Sequence, residues 1–192
     1  MDHRLLIVDN NDSFTFNILE SLRSITGNKP DVKNSRSLNY KTAAKYKAII
    51  FSPGPGLPGD FPVMSEILSE YGGKIPILGI CLGHQAICCH FNYSLYNLDQ
   101  VVHGQSKKIT VVSESKLFRN IPGSFEAGLY HSWSARNEKV NYELKITGLS
   151  EDGQIMAVEN NDEMIFGVQF HPESHITPYG KTIFSNFLSV IR

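Results

Sequence analysis

Residues 76–85 read PILGICLGHQ and set Cys81 midway between Gly79 and Gly83. A Gly-x-Cys-x-Gly spacing after an apolar run meets the steric demand of a nucleophile elbow. Where a strand turns sharply into a helix, the positions two before and two after the turn have no room for a side chain. A cysteine there sits beside the free N–H groups that open the next helix, which favour thiolate over thiol and can also hold an oxyanion. The same pentapeptide also suits a small buried cysteine packed in a glycine-rich turn.

A reactive thiol needs a base, and seven histidines are available. His171 follows the apolar run IFGVQF and stands two residues before Glu173, with Pro172 holding the backbone between them extended. Residues two apart in an extended segment point to the same side, so Glu173 can orient His171 and favour its imidazolium. Cys81, His171 and Glu173 would then form a triad; otherwise His171 is a strand-end histidine beside a surface glutamate. Pro53-Gly54-Pro55-Gly56 is a rigid segment that presents backbone amides without side chains in the way, suited to an oxyanion or a substrate backbone, or else an ordinary turn. His84 and His90, with Cys81, Cys88 and Cys89, invite a metal reading. Against it, Ala86, Ile87 and Phe91 describe a buried helix on which the adjacent Cys88 and Cys89 point apart, so core cysteines are preferred. His3, His103 and His131 are less specific, although His131 can position the loop beside Ser132.

The elements that must carry these residues are legible from apolar periodicity. RLLIVD, KAIIFSP and IPILGIC alternate with the helical patterns FTFNILESLRSI and FPVMSEILSEY, which implies a parallel sheet covered on both faces. Asp12 or Ser13 is expected to cap the first helix, whose buried face would be Phe14, Ile18, Leu22 and Ile25. KKITVV, YELKITGL, QIMAVEN and IFGVQF follow with turns and little helix, and read as antiparallel strands beside the parallel core. A last helix from about Tyr179 carries Ile183, Phe184, Phe187, Leu188 and Ile191. The expectation is one α/β domain over residues 1–192, with an open, mixed sheet whose core is mostly parallel. In such sheets sites form beyond the carboxyl ends of the parallel strands, where both SPGPG and Cys81 emerge.

The 192 residues suffice for one proper core, and the formal net charge of −1 with no long charged run argues against nucleic-acid and membrane-surface roles. The apolar start reaches Asp9 after a few residues and reads as a first strand, not a signal peptide, and no segment is long enough to span a bilayer. Three cysteines, two adjacent, make a poor disulfide framework and suit a reducing cytoplasm.

SPGPG, GICLGHQ and GVQFHPES, in that order, resemble the class I (triad) glutamine amidotransferase family over nearly the whole chain. VDNNDSFTFNI, Val102-His103-Gly104 and the YHSW of residues 130–133 narrow the similarity to the small amidotransferase subunits of anthranilate synthase and aminodeoxychorismate synthase. The resemblance implies a flavodoxin-like fold with Cys81 as nucleophile, His171 as general base and acid, and Glu173 as its orienting carboxylate. It further implies that Gly54, Pro55 and Gly56 line the glutamine pocket, that the Gly56 and Leu82 amides face the oxyanion, and that Gln85, Ser132 and Trp133 hold the amino-acid end. Asn11, Gln105 and Phe91-Asn92-Tyr93 depart from the family pattern without touching the triad.

The implied reaction splits L-glutamine into glutamate and ammonia through a glutamyl thioester and needs no metal or organic cofactor. Ammonia loses its nucleophilicity when protonated in water, so the expected partner is a larger chorismate-binding synthase subunit that receives it through a shielded route. Glutamine hydrolysis is expected to be weak until that subunit docks. Anthranilate synthase is the preferred partner, with aminodeoxychorismate synthase, or one chain serving both, as the alternative. Two other classes compete: a stand-alone γ-glutamyl hydrolase or amidase, and a receiver-like binding module built on Asp9 and Asp12, which would survive Cys81→Ala.

Overall fold

A computed structural model describes residues 4–137 and 143–191. In chain order the elements are β1 (Leu5–Asp9), α1 (Thr15–Thr26), β2 (Asp31–Asn34), β3 (Ala48–Phe51), α2 (Val63–Tyr71), β4 (Ile77–Ile80), α3 (Leu82–His90), β5 (Leu95–Asn97), β6 (Gln105–Val111), β7 (Ser124–Leu129), β8 (Trp133–Ala135), β9 (Lys145–Ser150), β10 (Ile155–Asn160), β11 (Ile165–Val168) and α4 (Gly180–Leu188).

Nine strands form one sheet in the order β2-β1-β3-β4-β11-β10-β9-β6-β7, while β5 and β8 pair separately. The pairings among β2, β1, β3, β4 and β11 are parallel, and those from β11 outward are antiparallel. Successive strand residues point to opposite faces, and this alternation builds two cores. Leu5, Ile7, Ile50 and Leu78 pack with α1 and α4 through Ile18, Leu22, Ile183, Phe184 and Phe187. Leu6, Val8, Ile49 and Ile77 pack on the other face with α2 and α3 through Met64, Ile67, Leu82 and Ile87. Each fully buried apolar side chain of this kind contributes about 1.5–3 kcal/mol, so the central strands are held from both sides. The α/β architecture with a mixed, mostly parallel core is the one expected.

Four expectations need correction. IFGVQF is antiparallel only to β10; its β11 portion lies parallel to β4, because a tight turn with Met164 at φ 55° inserts it between the two. Asp12 does bond the Phe14 N–H (2.8 Å), but the helix begins one residue later, at Thr15, whose hydroxyl donates to Asp9. Phe14 is therefore off the helix and only half-buried, leaving Ile18, Leu19 and Leu22, with the partly buried Ile25, to face the core. Ile191 falls beyond the end of α4. The short strands β2, β5 and β8 and the six-residue β7 are not among the expected elements. His3 and Tyr142, the latter within the YELKITGL run, lie outside the described residues. Among the described residues no helix is long and apolar enough to cross a membrane.

Candidate functional site

Parallel pairing of β3, β4 and β11 delivers three loops to one sheet edge. Gly167 stands opposite Gly79 and Val168 opposite Ile80, and the Cys81 N–H continues the ladder by donating to the Val168 carbonyl at 2.9 Å. Residues 52–56, Cys81 and residues 169–173 thus emerge side by side, although the last group is nearly 90 residues from the cysteine.

At Cys81 the backbone leaves β4 with φ 52° and ψ −99°, a sparsely populated positive-φ conformation outside the left-handed helical well that costs a residue bearing a Cβ roughly 1–3 kcal/mol. The neighbouring glycines make the turn possible. A Cβ on Gly79 would overlap the Gly83 carbonyl, and one on Gly83 would lie 2.6 Å from the Phe51 Cβ. In the first turn of α3, the N–H groups of Leu82, Gly83 and His84 have no intrahelical partner, whereas Gln85 N donates to Cys81 O. Gly54 presses on this helix start, with no space for a Cβ between Asn10 and Leu82 (2.7 Å each). Asn10 clamps the same loop: its N–H donates to Ser52 Oγ and its Nδ2 to Ser52 O, both at 2.9 Å. Gly56 adopts φ 77°, and the Leu57 N–H donates to Asp60 Oδ2, fixing the exposed turn that carries Pro55 and Gly56.

His171 and Glu173 form a buried pair, with Nδ1–H donating to Oε1 at 2.7 Å. That bond fixes the tautomer and leaves Nε2 as a buried ring nitrogen with no hydrogen-bond partner among the described residues. Burial alone would push the His171 pKa down. The Glu173 charge, together with its hydrogen bond and the nearby Cys81, outweighs it and raises the value to about 10. The imidazole is therefore held protonated at neutral pH. Phe14 and Tyr130 wall the ring, at centroid distances of 5.2 and 4.9 Å.

A third side of the site comes from the segment entering β8. Gln85 Nε2 donates to the Trp133 carbonyl at 2.8 Å, and the His131 Nδ1–H donates to the same oxygen at 2.9 Å. Ser132 lies between them, and its carbonyl accepts from Leu98 N. His131 is buried and its pKa is lowered to about 4, chiefly by that burial, so it is a neutral hydrogen-bonding group here.

Residues 6–191 match the family model for class-I glutamine amidotransferases. The chain belongs to that family. It is 42% identical over 188 residues to a Haemophilus influenzae protein provisionally named anthranilate synthase component II, covering 97% of this chain and 96% of the relative. It is 33% identical over 190 residues to the aminodeoxychorismate/anthranilate synthase component 2 of Bacillus subtilis, covering 98% and 97% of the two chains. In three dimensions it is similar to a Thermoplasma acidophilum protein provisionally named as part of GMP synthase, with TM-score 0.85, 98% and 93% coverage and 23% identity, a likeness of fold alone.

Within this amidotransferase the residues that the sequence assigned to the triad and the glutamine pocket lie along the same sheet edge or on the segment beside it. The buried Gln169, which touches both Cys81 and Gln85, was missed, as were the aromatic walls Phe14 and Tyr130. Gln169 and Tyr130 stand inside the motifs GVQFHPES and YHSW, and an uncharged polar residue in the run IFGVQF was the available signal. Two departures from the family pattern, Asn11 (φ 61°) and Asn92 (φ 67°), occupy left-handed positions that asparagine tolerates better than most residues. Gln105 opens β6 and lines a cavity of about 520 Å³ away from the triad. Of the metal candidates, His84 and Cys88 share one buried face, 3.6 Å apart, while Cys89 is exposed on another.

Proposed function

We propose that residues 1–192 act as a single glutaminase domain, with Cys81 as nucleophile, His171 as general acid and base, and Glu173 as its orienting carboxylate. The observation that carries this reading is the buried 2.7 Å His171–Glu173 bond, which keeps an imidazolium close to the cysteine that opens α3. The Cys81 thiolate attacks the side-chain carbonyl carbon of L-glutamine. Charge on the carbonyl oxygen is met by the amides of Leu82 and Gly56, each donor being worth about 3 kcal/mol in the transition state. His171 protonates the departing nitrogen, which leaves as ammonia, and then accepts a proton from the water that hydrolyses the glutamyl thioester to glutamate. Gly54 and Pro55 shape the pocket, and Gln85, Ser132 and Trp133 hold the amino-acid end, an amide and backbone groups gripping the zwitterion without a large opposing charge. None of these steps calls on a metal or organic cofactor.

The ammonia passes to a larger chorismate-binding subunit, that of anthranilate synthase, in a reducing cytoplasm where three free cysteines are stable. The component II name of the Haemophilus influenzae relative supports this partner. Three of the large apolar side chains that remain exposed, Phe16, Leu57 and Val101, lie one or two residues from Phe14, Gly56 and His103, and so near the edge that carries the triad. The double name of the Bacillus subtilis relative favours a second reading, in which the partner is aminodeoxychorismate synthase or both. Mixing the purified chain with each synthase subunit, glutamine and chorismate, and identifying the aromatic product, decides between them. Cys81→Ser is expected to abolish glutamine use and leave ammonia-dependent synthesis intact. A chain that hydrolyses glutamine at full rate alone, and gains nothing from either synthase, defeats the subunit reading.

A further inference from the structure

Gln169 is fully buried between Val168 and Phe170, which are also fully buried, in a run that is otherwise apolar. Its backbone N–H is spent on the Met156 carbonyl (2.9 Å), so the side chain is the part that packing alone does not require to be polar. A buried amide without partners is destabilising, and this one has two. Nε2 donates to Cys81 Sγ at 3.5 Å, and Oε1 accepts from Gln85 Nε2 at 3.2 Å. Gln85 Nε2 places its other hydrogen on the Trp133 carbonyl at 2.8 Å.

This wiring has one orientation. Flipping the Gln85 amide would set its oxygen against the Trp133 and Gln169 oxygens, and flipping Gln169 would turn an acceptor to the sulphur and a donor to Gln85. With both hydrogens of Gln85 Nε2 occupied, its Oε1 is left as the acceptor for a ligand.

We propose that Gln169 is a positioning residue that couples the nucleophile to the glutamine pocket, holding Cys81 Sγ through Nε2 and orienting Gln85 through Oε1. The inference rests on the reading above that Cys81 is the nucleophile and that Gln85 grips the substrate. Seating of glutamine against Gln85 and aiming of the sulphur then become one event.

The test is the pH profile of iodoacetamide alkylation, followed by mass spectrometry on the Cys81 peptide because Cys89, unlike Cys81, is exposed and would react too, with and without glutamine. In Gln169→Leu the sulphur loses a donor, so the profile moves to higher pH and alkylation near pH 6.5 slows by roughly tenfold. The glutamine concentration that half-protects Cys81 rises by about tenfold, as expected for one misdirected hydrogen bond. Gln169→Glu keeps the shape but brings a carboxylate to the sulphur, and moves the profile further in the same direction. A folded Gln169→Leu chain with unchanged profile and protection overturns the coupling. Should that variant fail to fold, an unchanged profile in Gln169→Glu overturns it instead. A wild-type chain whose Cys81 glutamine does not protect, or whose glutamine hydrolysis survives Cys81→Ser, overturns the parent reading and the coupling with it.

Discussion

Gly180, the first residue of α4, packs directly on the carbonyl of Pro172, so closely that a Cβ would overlap that oxygen. Pro172 is the residue between His171 and Glu173, and the contact makes the start of the next helix the backstop of the proposed triad. Thr177 completes the anchor: its hydroxyl donates to His171 O at 2.7 Å and accepts from Gly128 N at 3.0 Å. Gly180→Ala is expected to push the Pro172 carbonyl aside and lower glutamine turnover about 10²-fold, the scale of an ångström of misalignment. Its cost in stability, read by urea unfolding, should stay within about 1–3 kcal/mol. Unchanged turnover in a folded variant contradicts the backstop.

The Glu173 charge controls how the chain responds to alkali. His171 has a folded pKa raised from the ordinary 6.5 to about 10, so its contribution to stability is fully present below pH 6.5 and is lost as pH climbs toward 10. Glu173→Gln keeps an acceptor but removes the charge. Urea midpoints across pH 6–10 should fall less steeply in the variant than in the wild type, while turnover drops by roughly 10²-fold.

Acid acts through other histidines, with the opposite sign. Burial, reinforced by the nearby His131, lowers the His84 pKa to about 3, and burial lowers that of His131 to about 4. Both are neutral when folded at pH 7, and the stability this represents is present above pH 6.5 and drains away as pH falls toward 4 and 3. His84→Gln should flatten the decline of the urea midpoint between pH 6.5 and 4. An equally steep decline would remove His84 from the acid response.

Crowding at the elbow can be separated from backbone strain by two alanine substitutions. A Cβ on Gly83 meets Phe51 at 2.6 Å, whereas Gly27 has φ 72° but nothing within 4 Å. Gly27→Ala should cost about 1–2 kcal/mol for its conformation alone. Gly83→Ala should lose a further 1–3 kcal/mol or so as α3 is forced off β3, together with most glutamine turnover. Equal denaturation midpoints for the two variants would place the elbow's glycine requirement elsewhere.

What could be read from the chain divides along the range of the interactions. The Gly-Ile-Cys-Leu-Gly turn and the His171-Pro172-Glu173 step announce themselves because their geometry is set within five residues. Gln169 did not, since its meaning depends on β11 being threaded beside β4, and periodicity carries no mark of which neighbour a strand will take. The same blindness produced the antiparallel assignment of IFGVQF, which is true of its β10 side and false of its β4 side. Trp133 contributes a carbonyl, and any residue type supplies one. Strands β5 and β8 are three residues long, too short for an alternation to register.

The insertion of β11 between β4 and β10 also governs when the chain becomes chemically competent. While it is being synthesised, the segment through α3 holds Cys81 but not Gln169, His171 or Glu173. These arrive almost 90 residues later and reach the sulphur only by closing the last gap in the parallel sheet. Such distant pairing is slow, because the entropy of closing a long loop precedes any reward from contact. On the roles proposed for Cys81, His171 and Glu173, a nascent or half-folded copy carries an idle thiol, and completion of the sheet is the event that arms it.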